Sequence, residues 1–475
     1  MTTVSKLKAW HGAIAQPATE FVSTSLSIIE GKIPTDLRGS LYRNGPARLS
    51  WGKQQVGHWF DGDGAILRVN FTDSGATALY RYVQTTGYLA EQAASSFIFP
   101  NYGMTAAGGF WNNWLKPVKN TANTSVLALG DRLLALWEGG LPHALDLETL
   151  ATVGLDNLSG LTSKQSFSAH PKVDSQTAEI FSYGVSVGLN TVLNLYKCDP
   201  TGKLQKHNTY TLSGLPLIHD FCLAGQYLVF LVSPVRIDLP PIILGKKSYS
   251  EAMLWKPELG TEVLIFEREN LSLVSRSQTE PWFQWHFANG YVNDEGNIVT
   301  EFIRYQDFAT NQYLKEVASG ATKTIAKGTL SSLTINPQTA KVISNQKLAD
   351  AQAEFPIVSP IKIGQNWRYT YLNVHPLGAK LGEELFTAIA RFDRETNDLA
   401  IADLGSNCYP SEPILVPRQD DPEQGWLVTV VYDGNSDSSE VRIYQSDRLF
   451  ADPVCRLALP AVIPHSFHGT WQPAA

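Results

Sequence analysis

The chain has 475 residues, of which 43% are hydrophobic, 17% charged and 11% aromatic, with a net charge of −7. Such a chain can bury a large core and is not intrinsically disordered; with no Lys/Arg-rich run it is a poor partner for nucleic acid. No apolar run approaches the ~18 residues of a spanning helix, and the opening MTTVSKLKAWHGAIAQPATE lacks the basic and apolar regions of a signal peptide.

Short apolar runs bounded by turn residues follow one another along the chain. They include SVLALG (125–130), RLLALWEGG (132–140), EIFSYGVSV (179–187), YLVFLVS (227–233), EVLIFERE (262–269), GNIVTEFIRY (296–305), RYTYLNV (368–374), LFTAIARFD (385–393) and GWLVTVVYD (425–433). Rich in Val, Ile, Tyr and Phe and about one strand long, they predict an all-β protein. Helical periodicity is scarce; the best candidate is short, SYSEAMLW (248–255). A weak repeat joins pairs of strands through turns carrying an acidic or amide residue: ALDLETLATVG, KCDPTGKLQKH, FERENLSLVSR, TINPQTAKVIS and RFDRETNDLAI. Recurrence at roughly 50 to 70 residues predicts propeller blades, six or seven in number, in one domain over 1–475. The alternative is a pair of two-sheet sandwiches.

The cysteines, Cys198, Cys222, Cys408 and Cys455, show no CxxC spacing, which argues against a zinc site or a disulfide framework. The expected compartment is the cytoplasm. Of the ten histidines, His207 reads as a solvated turn and His11 as part of a polar N-terminal segment. Four others, His170 in SFSAHPK, His219 in LIHDF, His286 in FQWHFAN and His468 in SFHGTW, each stand at the edge of an apolar or aromatic run. In a propeller, inner strand ends from distant blades converge on the axis. Several imidazoles meeting in a dry place leave ring nitrogens to satisfy, and a transition metal would satisfy them. Four histidines on an octahedral ion leave two positions free. Glu138, Glu354 and Glu412 also sit in or beside apolar segments. There a carboxylate is expensive unless it accepts the second N–H of a ligating histidine.

These residues, together with LRGSLYRNGPA (37–47), HWFDGDGAI (58–66), KNTANTSV (119–126), IHDF (218–221), EFP (354–356), SEPILVP (411–417) and PHSFHGTW (464–471), carry a family pattern over nearly the whole chain. The sequence resembles the carotenoid cleavage oxygenases, most of all the cyanobacterial apocarotenoid oxygenases. The resemblance implies a seven-bladed β-propeller whose top face is covered by long loops and short helices. It further implies one Fe(II) per chain, bound by His170, His219, His286 and His468, with Glu138, Glu354 and Glu412 behind three of them. His468 is chosen over His465 because the ligand of the family motif precedes Gly-Thr-Trp. Thr124 matches the threonine whose methyl lies near an open iron position. The implied reaction is cleavage of one conjugated C=C bond of a carotenoid or apocarotenoid by dioxygen, giving two carbonyl products. Rival readings are a stilbene-cleaving oxygenase and a carotenoid-binding propeller without turnover. Stilbene cleavers carry a Lys directly before the motif Glu, where this chain has Trp137.

Trp137, Phe221, Trp282, Phe283 and Phe467 are the candidate wall of an apolar substrate tunnel. The FDGDG stretch (60–64) reads as a structural Asp/Gly turn, with His58 in its packing. Two broken apolar stretches, 95–116 and 235–256, are candidate membrane contacts. Phe97, Phe99, Phe110, Trp111, Ile237, Leu239, Ile242, Ile243 and Leu244 would form the patch, beside Lys246 and Lys247. The expected protein is a monomer that associates peripherally with membrane.

Overall fold

A computed structural model describes residues 7–108, 110–114, 116–376 and 378–474. Antiparallel strands dominate it, and all nine apolar runs named above become strands. Consecutive strands form four-stranded meanders. One comprises Ser125–Ala128, Leu133–Leu136, His143–Leu145 and Thr152–Leu155; the next comprises Lys172–Val173, Ile180–Val187, Thr191–Cys198 and Leu204–Leu212. Then follow Cys222–Ala224, Tyr227–Val232, Thr261–Glu267 and Leu273–Thr279, and after them Phe287–Val292, Ile298–Tyr305, Gly328–Ile335 and Val342–Ile357. A single parallel bridge, Ala224 to Gly290, links those two. The 16-residue strand Val342–Ile357 pairs first with Gly328–Ile335 and then with Tyr369–Val374. It therefore also begins the unit continued by Ala388–Asp393 and Asp398–Asp403.

The ends of the chain are exchanged between the first and last sheets. Gly469–Pro473 pairs with Gly39–Arg48, and Ser27–Gly31 pairs with Cys455–Ala458. Between those sheets Leu41, Leu67, Val69, Val428, Val441 and Ile443 form one buried cluster. Each such side chain contributes about 1.5–3 kcal/mol, so separating these sheets is costly.

The repeated turns have a common physical cause. Asp146 Oδ1 accepts from the backbone N–H of Glu148 and Thr149, Asp174 Oδ1 from Gln176 and Thr177, and Asn336 Oδ1 from Gln338 and Thr339. A side chain thus replaces the missing backbone acceptor. The segment 248–255 departs from the expected helix. Only Ser250–Ala252 makes a 3-10 turn, because Met253–Trp255 pairs as a strand with Val235–Ile237. The α-helices Thr86–Ala94 and Ala309–Val317 were not foreseen in the sequence. Among the described residues, no helix is long and apolar enough to cross a membrane.

Candidate metal centre

Four histidines stand at equivalent places in three of the meanders and in the first sheet. His170, His219, His286 and His468 each lie just before the edge strand of their unit: Lys172–Val173, Cys222–Ala224, Phe287–Val292 and Gly469–Pro473. All four are buried. His170 Nε2 is 3.0 Å from His219 Nε2, which is 3.2 Å from His286 Nε2. The His468 ring centroid lies 4.7 Å from those of His170 and His286.

The outer nitrogens of three rings meet carboxylates. His286 Nδ1 lies 2.5 Å from Glu354 Oε2, His468 Nδ1 2.8 Å from Glu412 Oε1, and His219 Nδ1 contacts Glu138 Oε1. Glu354 and Glu412 are held in turn. Glu354 accepts from Tyr305 Oη at 2.8 Å and from Phe355 N–H at 2.8 Å. Glu412 accepts from Gly469 N–H at 2.9 Å. Glu138 is less enclosed, its side chain 30% exposed against 7% for the other two. Phe355 adopts φ +55°, a left-handed conformation that bulky residues avoid. It places the Phe355 ring against His286, centroids 5.5 Å apart.

Electrostatics favour neutral rings at His170 and His468, and ionised carboxylates at Glu354 and Glu412. Burial, then the charges of the neighbouring imidazoles, push His170 well below its ordinary value. Burial lowers His468 against the opposing pull of Glu412. Burial also opposes ionisation of Glu354 and Glu412, but His286 and His468 outweigh it and hold both carboxyls low. His286 is raised, because Glu354 outweighs burial. A neutral ring that donates Nδ1–H outward, as His468 does to Glu412, turns a lone pair on Nε2 inward. Nitrogens about 2.1 Å from one ion at right angles stand about 3 Å apart, which matches the observed spacings. The donor set fits a divalent transition metal.

One further carboxylate joins three of these loops. Asp220 takes the Lys172 ammonium at 2.7 Å and the N–H of Phe287 at 2.9 Å. Lys172 and Phe287 follow His170 and His286 closely in sequence, and Asp220 follows His219. His465 turns away from the cluster, Nε2 lying 2.8 Å from Trp10 O. His58 caps the 3-10 turn Trp59–Asp61, accepting from Phe60 N–H.

The centre opens onto an apolar cavity of about 360 Å³. Thr124, Trp137 and Phe467 line it, and the Thr124 hydroxyl donates to Asn123 Oδ1 at 3.2 Å. Trp285, one of the aromatic residues of 282–287 of which some are expected to line a tunnel, lines it too; Trp59, Phe60, Phe355 and Phe386 also line it and were not assigned to it from the sequence. Trp59 and Phe60 are signalled only by their place in HWFDGDGAI. Three expected tunnel residues belong elsewhere. Phe221 stacks on Phe230 at 5.2 Å in a closed core, Trp282 is 0% exposed beneath Arg304, and Phe283 packs on Phe308 at 4.7 Å. Sheet-to-sheet packing takes these rings.

The two broken apolar stretches meet: Ser250 N–H donates to Tyr102 O at 2.7 Å, and Tyr102 Oη reaches Met253 Sδ at 3.4 Å. Trp111 is 77% and Ile243 49% exposed, with Leu244, Lys246 and Lys247 also exposed. Ile237, Leu239, Ile242 and Phe99 are half-buried. Phe97 is a correction: it is buried against Trp10, Trp59 and Phe467. Glu91 causes this by accepting from Ile98 and Phe99 N–H, which draws the chain inward. The Phe110 side chain lies outside the described residues.

Residues 14–473 match the family described as retinal pigment epithelial membrane protein (RPE65). The chain belongs to the RPE65/carotenoid oxygenase family. It is an oxygenase of that family. It is 32% identical to the apocarotenoid-15,15'-oxygenase of Synechocystis sp. over 459 residues, 93% of this chain and 92% of that one. The resveratrol cleavage oxygenase 1 of Aspergillus fumigatus is 25% identical, over 93% of this chain and 91% of that one. Among solved structures, a cobalt-substituted Synechocystis apocarotenoid oxygenase superposes with a TM-score of 0.89 at 30% identity, covering 98% of each chain.

Proposed function

We propose that His170, His219, His286 and His468 hold one Fe(II) ion and that the protein cleaves a conjugated C=C bond of a carotenoid or apocarotenoid, giving two carbonyl products. The observation that carries this reading is the convergence of four imidazole rings at an apolar cavity, three of them backed by carboxylates. Iron, when bound, supplies the activation of dioxygen. The chain's own residues orient and enclose. Glu138, Glu354 and Glu412 fix three ring tautomers. Phe60, Trp285, Phe355 and Phe467 exclude water and present flat apolar faces to a polyene. The Thr124 methyl narrows access at the centre, its hydroxyl being turned to Asn123.

The meanders are read as the blades of a seven-bladed propeller, in one domain, with the four histidine loops at its axis. A monomer docked peripherally on membrane through Trp111, Ile243, Leu244 and the nearby lysines would draw substrate past Ile237 and Tyr249, both on the cavity wall. The apolar ring of Trp137 beside Glu138 supports a polyene over a phenolic stilbene.

The test is to load anaerobically purified protein with Fe(II), add a β-apocarotenal under labelled dioxygen, and analyse the carbonyl products by mass. Expected are one iron per chain, loss of the visible polyene band and label in the products. An iron-loaded protein that leaves the polyene intact while consuming resveratrol would overturn the substrate assignment.

A further inference from the structure

On the cavity wall, Asn373 and His375 carry buried polar atoms that no protein group answers. They lie two residues apart at the end of the strand Tyr369–Val374, a spacing that turns both side chains to one face. Asn373 is the cross-strand partner of Glu354, the carboxylate that holds His286. It is 1% exposed. Its Nδ2 donates to Pro410 O at 3.3 Å, which sets the orientation of the amide. Oδ1 is left without a partner. His375 Nδ1 is likewise buried and unanswered, its ring 4.6 Å from that of Phe386. Burial alone lowers this imidazole to about 4, so the ring is neutral near pH 7. The adjoining wall, Leu381, Leu385 and Phe386, is apolar.

We propose that Asn373 and His375 form a polar subsite for a hydroxyl group carried on one end of the polyene substrate, so that the preferred substrate is a hydroxylated polyene. Asn373 Oδ1 can only accept, whereas His375 Nδ1 accepts or donates according to tautomer. A hydroxyl donates and accepts, and so answers both. A carbonyl end group has no proton for Asn373 Oδ1, and a pure hydrocarbon leaves both atoms bare in an apolar wall. The inference rests on the reading that the cavity takes a polyene.

The experiment uses the full-length protein under anaerobic conditions. Tryptophan-fluorescence quenching is titrated with two probes, a β-apocarotenal and its ring-hydroxylated analogue. The hydroxylated probe should bind roughly tenfold more tightly, the worth of one buried hydrogen bond. Asn373→Leu and His375→Phe should each bring the ratio of the two affinities towards one; if one variant fails to fold, the other gives the ratio. Equal affinities in the unsubstituted protein, or an unchanged ratio in the folded variants, would overturn the subsite. Because binding is read without oxygen, a retained ratio with no cleavage in air would sink the oxygenase substrate reading and leave the subsite standing. Normal cleavage with equal affinities would sink the subsite alone.

Discussion

Asp220 and Lys172 form an ion pair at 2.7 Å between the loops of His219 and His170, and the second oxygen of Asp220 takes the Phe287 N–H beside His286. One carboxylate thus ties together the loops of three of the four imidazoles. Glu412 does the equivalent for the fourth, binding both His468 Nδ1 and Gly469 N–H.

The Asp220→Asn variant should lose the charge pairing while keeping the shape. Stability should fall by about 2 kcal/mol, the worth of a charge-assisted hydrogen bond, read as a lower urea midpoint. Iron retention after dialysis should fall with it, because three donors lose their common anchor. Unchanged iron content together with an unchanged midpoint would show that the loops hold their spacing by packing alone.

The three carboxylates should not be equivalent. Glu354→Gln disturbs a group bonded to His286, Tyr305 and Phe355, and Glu412→Gln one bonded to His468 and Gly469. Each should weaken iron binding by roughly 10–100-fold. Glu138→Gln, at the half-exposed position, should cost less. Metal titration of the three variants decides the order; equal losses would contradict it.

Sequence and structure agree where a side chain imposes its own chemistry. The turn residues Asp146 and Asn336 were legible because a carboxylate or amide that caps a turn repeats wherever the turn repeats. The four histidines stood out because an imidazole inside an apolar run has few tolerable environments. The aromatic residues of 282–287 were not legible in the same way. Trp282 and Phe287 sit in the same buried cluster, Phe283 in another, and Trp285 reaches the cavity. Their facing depends on the irregular entry into a strand whose register shifts between Phe287 and Asn289. Phe97 was misread for a related reason: its burial follows from Glu91 gripping the next two N–H groups, a contact across a turn that hydropathy does not register.

The apolar patch gives a test independent of turnover. Trp111→Ser combined with Ile243→Ser removes two of the more exposed large side chains there. Association with anionic vesicles should drop at least roughly tenfold in a sedimentation assay, since each buried apolar side chain contributes about 1.5–3 kcal/mol. Iron content should be unaffected, because neither residue lines the cavity at the histidines. Unaltered sedimentation would place the membrane contact elsewhere or nowhere.

Acid stability should be governed in part by histidines buried as neutral rings. His58 is completely buried, its Nδ1 accepting from Phe60 N–H at 3.1 Å and its Nε2 lying 3.3 Å from Asn311 O. A proton on Nδ1 would oppose a donor to a donor. Burial chiefly, against the pull of Asn311 O and with the Lys315 charge, lowers His58 to about 3; burial lowers His143 to about 4. Unfolded, each titrates near 6.5. Between those values the unfolded chain binds more protons than the folded one, so stability is intact above pH ~6.5 and declines as pH falls towards ~4. Each such ring contributes a slope of up to about 1.4 kcal/mol per pH unit. Urea midpoints measured from pH 7.5 to 4.5 should therefore fall on acidification, and His58→Phe should flatten the slope whatever its effect at neutral pH. A slope identical in the variant would mean that His58 is already charged in the folded protein.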